Sequence, residues 1–416
     1  MENLNDYFFN FIESNRNSDI FSLKLKRDKF PEDFPLDFCL LQIDARKKYS
    51  HKLKSFISNP KFLFPDSISG EQTSHQAVSK FHASLINQNN IVLDMTGGLG
   101  IDSMSIASSA QKVISIEIDE NKANILKHNA EILGYKNLEI INDDSTRFIK
   151  NSNHNYDIIF VDPSRRGSNN QRLYNLKDCI PDIVSLQDIL FQKTNKIIIK
   201  ASPLIDITQI LRDFRGVNKI SVIGVNGECK EILIEAQKEY YRNSSSTYNI
   251  ICDAVNLDID GNIIFHNSFD YLFNGIKLYE ITDSENNIIE YLGLKDSLED
   301  KYILEPSAMI MKIAPWNFIC NHYKAKKFGP STHLFLSEKF PENFPGRVTQ
   351  IKKLLKKQDR KALKNFPATV ICKNYPLTSE SLRTSLKLIE GTENFIYAGK
   401  IEDKPIIILS KPETSR

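Results

Sequence analysis

Between residues 91 and 236, short apolar runs recur at regular intervals, and their spacing restricts the folds open to this chain. Stretches with helical periodicity, such as 120–134 and 178–192, separate the first six of these runs. Strand and helix alternating in this way predict a parallel sheet with helices on both faces. The seven runs are Ile91–Met95, Lys112–Ile118, Leu138–Asn142, Tyr156–Val161, Lys196–Lys200, Lys219–Val225 and Glu231–Ala236.

The last two runs are separated by five residues, 226–230, with the sequence Asn-Gly-Glu-Cys-Lys. A parallel crossover needs about a dozen residues or more, so these two strands must form an antiparallel hairpin. The chain is therefore predicted to contain a seven-stranded α/β sheet whose last hairpin is antiparallel. An ordinary dinucleotide-binding sheet does not end in this way.

Other patterns flank the sheet. Residues 1–85 show apolar side chains at helical spacing, which predicts a helical domain whose last helix spans about 75–86 with Thr73 or Ser74 as its N-cap. After the polar stretch 243–247, strand and helix patterns mix to the end of the chain, which indicates one or two small α+β domains. The strand-like runs there are 250–257, 263–265, 278–282, 288–292, 395–401 and 405–410.

Composition and charge limit the kinds of binding site and the cellular location that the sequence predicts. The chain has 416 residues and a formal net charge of +2, so any nucleic-acid surface must be a local patch. Its six cysteines form no Cys-x-x-Cys pair, and we predict neither a metal site nor a redox pair. No basic leader with an apolar core and no run of about 18 apolar residues is present, which favours a cytoplasmic location.

A glycine-rich turn follows the first predicted strand, in the segment Asp94-Met95-Thr96-Gly97-Gly98-Leu99-Gly100. Gly97, Gly98 and Gly100 let the backbone approach a ligand, because no Cβ stands in the way. The following helix points its N-terminal amides at that ligand. The turn therefore predicts a nucleotide-type cofactor site.

Acidic residues end the first three predicted strands. Asp94 can accept a hydrogen bond from an ammonium group, Glu117 can take both hydroxyls of a ribose, and Asp144 can accept from an adenine amino group. Thr96 and Ser145 adjoin these residues and complete the predicted cofactor-binding set.

Two cofactor classes compete for this turn. Read as a nicotinamide-cofactor fingerprint, Gly98-x-Gly100-x-x-Ser103 lacks its third glycine. Glu117 suits either class, whereas Asp94, Asp144 and the terminal hairpin favour S-adenosylmethionine. S-adenosylmethionine is therefore the predicted cofactor.

The fourth predicted strand ends in Val161-Asp162-Pro163-Ser164-Arg165-Arg166-Gly167, at the edge of the sheet where ligands bind. The order of motifs from Asp94 to Pro163 resembles a class I methyltransferase with its Rossmann-like sheet. Residues Asp162 to Arg165 resemble the Asp/Asn-Pro-Pro-aromatic motif of enzymes that methylate exocyclic amines of bases. The resemblance implies that Asp162 and the Pro163 carbonyl accept hydrogen bonds from the target amine and position it for transfer.

The motif departs from that pattern at two positions. Ser164 replaces the second proline, and Arg165 replaces the aromatic residue that stacks on the base. A guanidinium can stack on a base or bind phosphate, so the catalytic set Asp162, Pro163, Ser164 and Arg165 leaves the target atom open.

Asp-Pro-x-Arg-x-Gly also resembles the uridine-C5 RNA methyltransferases, which need a cysteine nucleophile after strand five. Here that strand runs into Lys200-Ala201-Ser202-Pro203, without a cysteine. Cys179 is the nearest in sequence, but it is predicted to lie in a helix.

The whole order of motifs resembles a group of bacterial methyltransferases that have a helical N-terminus, a ferredoxin-like insert and a THUMP-like C-terminal domain. This resemblance implies an RNA substrate, tRNA or rRNA. It implies domains at 1–85 (helical), 86–242 (methyltransferase), 243–320 (ferredoxin-like α+β) and 321–416 (basic, THUMP-like). The segments that carry it are 162–166, Lys200-Ala201-Ser202-Pro203-Leu204, Leu304-Glu305-Pro306-Ser307-Ala308 and Phe344-Pro345-Gly346-Arg347-Val348.

The region 324–373 is strongly basic, with thirteen Lys or Arg against three acids in a chain of net charge +2. A phosphate-binding surface requires such a concentration of charge, so RNA is the predicted partner of this region. Several of the basic residues are expected to share one side of a helix. They are Lys352, Lys353, Lys356, Lys357, Arg360 and Lys364.

Methylation of a protein or small molecule, a noncatalytic RNA-binding role and dinucleotide oxidoreduction stay open as alternatives.

Overall fold

A computed structural model of the chain describes residues 5–165, 175–241, 247–282 and 289–413. These residues divide into two compact units, the first built mainly from the chain before residue 252 and the second mainly from the chain after residue 278. None of the described helices is long and apolar enough to cross a membrane.

The N-terminal region of the first unit is helical, as predicted. Phe8, Ile12 and Ile43 are fully or almost fully buried in one apolar cluster that holds the first three helices together. The helices are α1 Asp6–Ser14, α2 Ile20–Lys24, α3 Leu36–Lys48, α4 Lys54–Ile57, α5 Ser69–Gln72 and α6 Gln76–Ser84.

The predicted N-cap of α6 was wrong. His75 has extended backbone, and its Nδ1 accepts a hydrogen bond from the Ala77 amide at 3.1 Å, so His75 is the cap. The Ser74 hydroxyl instead contacts Asp102 and Lys200.

The large sheet of the first unit contains the seven predicted strands in the order β8-β9-β7-β4-β1-β2-β3. Strands β1, β2, β3, β4 and β7 run parallel, and β9 pairs antiparallel with both β7 and β8. The predicted terminal hairpin is therefore confirmed. The strands are β1 Ile91–Asp94, β2 Lys112–Glu117, β3 Leu138–Asn142, β4 Tyr156–Val161, β5 Ser164–Arg165, β6 Cys179–Ile180, β7 Thr194–Ala201, β8 Val217–Val225 and β9 Glu228–Gln237.

Helices connect the parallel strands and cover the sheet. One apolar cluster runs from Phe62 and Val78 of the N-terminal region to Val92 and Phe160 of the sheet, so the two share a core. The connecting helices are α7 Ile101–Ala107, α8 Glu120–Ile132, α9 Ser145–Asn151, α10 Ile183–Lys193 and α11 Ile207–Asp213. Cys179 was predicted to be helical, but it lies in β6, where it pairs with Arg165.

The sheet has ten strands rather than seven, because three more strands continue beyond β8. They are β10 Tyr248–Leu257, β11 Ile263–Phe273 and β12 Leu278–Glu280, in the order β12-β11-β10-β8. Without β10, strand β8 would present a row of unpaired amides at the sheet edge. These three strands come from the region 243–320, for which the sequence predicts a ferredoxin-like α+β domain. Of the strand expected at 288–292, residue 288 lies outside the described residues, and residues 289–292 form a single bridge, between Tyr291 and Lys327.

The second unit is built on a seven-stranded sheet in the order β14-β15-β13-β16-β19-β18-β17. Its core includes Ile303, Phe328 and Tyr397, each no more than 1% exposed. The strands are β13 Tyr302–Pro306, β14 Ala325–Gly329, β15 Thr332–Ser337, β16 Gly346–Leu354, β17 Thr369–Cys372, β18 Phe395–Ile401 and β19 Lys404–Pro412. The helices are α12 Ala308–Ile313, α13 Trp316–His322 and α14 Ser379–Leu386.

The basic helix face predicted near residue 352 was wrong. Lys352 and Lys353 lie in β16, which pairs with β13 and β19, and only a short 3₁₀ segment, Lys357–Leu363, follows. The β-branched residues Thr349 and Ile351 are fully buried in β16 and favour a strand there.

A candidate active site at the carboxyl edge of the sheet

The glycine turn joins β1 to α7 at the carboxyl edge of the sheet. The Gly97 amide donates to the Ile116 carbonyl at 2.8 Å and anchors the turn to β2. Gly98 and Gly100 have φ values of +54° and +86°, which residues with a Cβ rarely adopt. A Cβ on Gly100 would lie 1.9 Å from Leu126, whereas a Cβ on Gly98 would meet nothing nearer than 4.0 Å. The turn therefore presents bare backbone to open space at Gly98.

Glu117, at the end of β2, faces this turn. Its Oε2 accepts the Gly98 amide at 2.7 Å, and its Oε1 accepts the Asp119 amide at 2.8 Å. Ile118, the next residue, is 69% exposed although it is a large apolar side chain. The sequence patterns did not indicate Ile118 as a site residue. The feature that could have done so is an apolar residue directly after the acid that ends a strand. A carboxylate beside an exposed apolar surface fits a sugar joined to an aromatic base.

Asp94, at the end of β1, lies below the turn and is 1% exposed. Its Oδ1 accepts the Thr96 amide at 2.9 Å, and the Ser103 hydroxyl donates to Oδ2. Burial raises the pKa of Asp94 to about 6, although the hydrogen bonds from Ser103 and Thr96 oppose the shift. Asp94 thus supports the turn from inside the protein.

Asp144 and Ser145 follow β3, the next strand along the same edge. Oδ1 of Asp144 accepts the amides of Thr146 at 2.7 Å and Arg147 at 3.0 Å, so Asp144 is the N-cap of α9, and Ser145 is the first residue of that helix. Because β1, β2 and β3 are neighbours, their acidic ends share one edge.

The Asp162-Pro163 segment follows β4, the neighbour of β1 on its other side. The Asp162 amide donates to the Thr96 hydroxyl at 2.7 Å, which ties this segment to the glycine turn. Ser164 and Arg165 form the short strand β5, where the Ser164 hydroxyl donates to the Ile180 carbonyl at 3.4 Å. Arg166 and Gly167 of the predicted motif lie outside the described residues.

A lysine at the end of β7 pairs with the Asp162-Pro163 segment. Lys200 Nζ lies 2.6 Å from Oδ2 of Asp162, 2.8 Å from the Ser74 hydroxyl and 3.8 Å from Asp102. In the sequence Lys200 stood out only as part of a motif, although a charge that ends a run of three isoleucines is an unusual feature. The geometry makes it a neighbour of the Asp162 carboxylate.

A buried histidine extends this ionic cluster. His82 Nδ1 lies 2.9 Å from Asp102, and its Nε2 lies 2.5 Å from Glu231. Burial alone lowers the pKa of His82, but Glu231 and Asp102 outweigh it and raise the pKa to about 10. The sequence patterns did not indicate His82 or Glu231.

Burial and charge act in opposite directions on the other members of this cluster. Burial raises the pKa of Asp162, and Lys200 partly opposes that shift. For Asp102, burial again raises the pKa, but Lys200 and His82 prevail and hold it well below its usual range. Burial lowers the pKa of Lys200, and Asp162 and Asp102 more than reverse this. His82, Asp102 and Lys200 are therefore charged near neutral pH.

The basic residues of the second unit are only partly available at the surface. Lys327 is 1% exposed and donates to a backbone carbonyl, and Arg347 and Lys373 both lie close to Glu305. The exposed members include Lys324, Lys326, Lys339, Lys352, Lys356, Lys357 and Lys364.

Comparison with known protein families and structures agrees with this geometry. Residues 89–238 match the family model described as RNA cap guanine-N2 methyltransferase, residues 302–345 match a ferredoxin-like domain, and residues 342–412 match a THUMP domain-like family. The crystal structure of a proposed methyltransferase from Porphyromonas gingivalis W83 has the same fold, with a TM-score of 0.81, 24% identity and 98% of each chain covered.

Curated relatives match only in part. An uncharacterized RNA methyltransferase of Thermotoga maritima is 32% identical over 102 residues, and these cover 23% of each chain. A 23S rRNA (uracil(1939)-C(5))-methyltransferase of a Marinomonas species is 30% identical over 84 residues, 20% of this chain and 19% of that protein. The chain thus spans about a quarter of the length of the first such relatives. Residues 89–238 therefore match a methyltransferase family and have the α/β sheet described above, and residues 302–345 and 342–412 match ferredoxin-like and THUMP-like families.

Proposed function

We propose that this protein transfers a methyl group from S-adenosylmethionine to a base in structured RNA, tRNA or rRNA, and that an exocyclic amine is the target. The observation that carries the proposal is the hydrogen bond between the Asp162 amide and the Thr96 hydroxyl at 2.7 Å. It ties the turn suited to the cofactor to the segment suited to the base, so that two ligands bound there would lie side by side.

The residues at the edge fit this cofactor. The open space at Gly98 admits a ligand against bare backbone, and Glu117 offers carboxylate oxygens to ribose hydroxyls. The exposed side chain of Ile118 offers an apolar surface to the adenine ring, and Asp144 with Ser145 lies on the next strand end for its amino group. When bound, S-adenosylmethionine supplies an electrophilic methyl group on a positively charged sulfur.

The reaction segment acts by position and charge. The Asp162 carboxylate and the Pro163 carbonyl are hydrogen-bond acceptors, and they hold the N–H groups of a target amine so that its lone pair faces the methyl group. This role needs no proton transfer from a side chain, and it requires Asp162 to be ionised. Ser164 and Arg165 follow directly and contact the base or its phosphate.

Several features support RNA as the substrate. The second unit has exposed lysines suited to phosphates, and residues 342–412 match the THUMP domain-like family. The relatives from Thermotoga maritima and Marinomonas are named as RNA methyltransferases. We infer a cytoplasmic enzyme from the composition and propose the domain limits 1–85, 86–242, 243–320 and 321–416 for its functional parts.

Incubation of the purified protein with methyl-labelled S-adenosylmethionine and total cellular RNA tests the proposal. We expect label in RNA, in one nucleoside that mass spectrometry of a nuclease digest identifies, and no label in free nucleosides. The Asp162→Ala variant should lose the transfer, whereas Glu139→Gln, an exposed carboxylate on β3 paired with Lys112, should retain it. Label that enters protein or small molecules instead of RNA would refute the RNA substrate. Calorimetry that shows binding of a nicotinamide cofactor but no binding of S-adenosylmethionine would refute the methyltransferase activity.

A further inference from the structure

Lys200 is enclosed at the reaction site. Its side chain is 12% exposed, and its ammonium reaches three acceptors, which are Oδ2 of Asp162 at 2.6 Å, the Ser74 hydroxyl at 2.8 Å and Oδ2 of Asp102 at 3.8 Å. The contacts with Asp162 and Ser74 are hydrogen bonds, whereas the contact with Asp102 is an ion pair at a longer distance. Turning Lys200 toward solvent would leave Asp162 without its cation and Asp102 with His82 alone, which keeps the side chain in place.

A second cation fixes the far side of the cluster. Asp102 contacts His82 through Oδ1, and His82 in turn contacts Glu231. The side chains of His82 and Glu231 are 1% and 4% exposed, whereas that of Asp162 is 33% exposed. The cluster therefore runs from the dry interior to Asp162, the member that a substrate can reach most easily.

We propose that Lys200 is a positioning residue for the methyl transfer proposed above. Its ammonium pairs with the Asp162 carboxylate and fixes it through Oδ2, so that Oδ1 accepts an N–H of the target amine. The Asp102–His82–Glu231 chain holds Lys200 in that position. The inference rests on the proposed function for its chemistry, and on the three contacts of Lys200 for its geometry.

The charges around Asp162 determine how its carboxyl group responds when Lys200 is removed. Two carboxylates, Asp102 on α7 and Glu231 on β9, interact electrostatically with both Asp162 and Lys200. Asp94 on β1 also repels Asp162, and the ammonium of Lys52 repels that of Lys200. Without the ammonium, Asp162 faces other carboxylates in a partly dry site. Loss of a nearby opposite charge raises the pKa of a carboxyl group. Asp162 would then keep its proton to a higher pH and would accept the N–H groups of the amine only above that pH.

The pH profile of RNA methylation distinguishes this role from a purely structural one. Methyl transfer from labelled S-adenosylmethionine to total RNA is measured from pH 5 to 9 for the wild type, Lys200→Gln and Lys200→Arg. We expect the acidic limb of Lys200→Gln to move up by about 1–3 pH units, with activity recovering at high pH. Lys200→Arg keeps the positive charge and should keep the wild-type limb. A glutamine variant slowed equally at every pH, or an arginine variant that shares its shift, would overturn the proposal.

A second measurement does not depend on the RNA substrate. The stability of Lys200→Gln, relative to the wild type, should fall as pH rises from 5 to 8, because a carboxyl whose pKa is raised in the folded state loses its stabilising proton over that range. If the wild type transfers no methyl group to RNA, the proposed function fails, and this unfolding series alone decides whether Lys200 controls Asp162. A glutamine variant whose stability runs parallel to the wild type across that range would overturn the role of Lys200.

Discussion

Replacement of Gly98 by alanine tests two properties of the turn separately, which are the conformational strain of its backbone and its role as a surface for the cofactor. Gly98 has a φ of +54°, and an added Cβ would meet only the Thr96 carbonyl, at 4.0 Å. Gly134, after α8, is a matched control, because its φ is +82° and an added Cβ would meet nothing within 4 Å. An L-residue in this left-handed region costs roughly 1–2 kcal/mol, so Gly98→Ala and Gly134→Ala should lose similar amounts of unfolding free energy.

The two variants should differ in their affinity for the cofactor. At Gly98 the new methyl group enters the space where the backbone would contact the ligand, and an extra methyl in a close contact costs roughly 1–3 kcal/mol. That cost corresponds to binding of S-adenosylmethionine or S-adenosylhomocysteine weaker by about 5- to 150-fold, measured by titration calorimetry. Gly134→Ala should bind like the wild type. Equal affinity of the two variants, with equal stability in denaturant unfolding, would refute the placement of the cofactor against Gly98.

Three further predictions address the acids of the edge and the RNA surface. Glu117→Gln should weaken S-adenosylmethionine binding by about tenfold or more through loss of charged hydrogen bonds, whereas Glu139→Gln should bind normally in calorimetry. Burial raises the pKa of Asp94 to about 6, so the wild type loses stability as pH rises through that value. Relative to the wild type, the free energy of unfolding of Asp94→Asn should therefore rise by up to about 3 kcal/mol between pH 4 and 7. A difference between the two proteins that stays constant over this range in denaturant unfolding would contradict this. Reversal of three exposed lysines in the second unit should weaken RNA retention on filters at low salt by tenfold or more, whereas the same change of charge in the N-terminal region should not. The triple variants are K352E/K357E/K364E and K24E/K26E/K29E.

The central sheet could be predicted because its information is local. Each of the seven strands predicted between β1 and β9 is a short apolar run between turn signals, and the gap 226–230 is too short for any connection except a hairpin. The continuation of the sheet through β10 could not be predicted, because the pairing of β10 with β8 depends on an open edge that no local pattern reveals. The basic segment was misinterpreted for a related reason. Its lysines can occupy one side of a helix, but pairing with β13 and β19 makes residues 346–354 a strand.

The candidate site likewise contains residues that local sequence patterns locate and residues that only the fold brings together. Gly98, Glu117 and Asp144 stand at strand ends that the apolar pattern had already located, so their neighbourhood follows from the order of the sheet. The ionic cluster depends on distant parts of the chain. Lys200 bonds Ser74, which is 126 positions away, and His82 lies 149 positions from Glu231. No sequence pattern pairs Lys200 with Ser74 or His82 with Glu231, so only the folded chain shows that these residues meet.

A crystal structure of this protein with S-adenosylhomocysteine bound tests the central claim most directly. We expect the ribose hydroxyls to bind Glu117, the ligand to lie against the backbone of Gly98, and the sulfur to face the Asp162-Pro163 segment. A ligand bound elsewhere on the chain, or one whose sulfur faces away from that segment, would contradict the account.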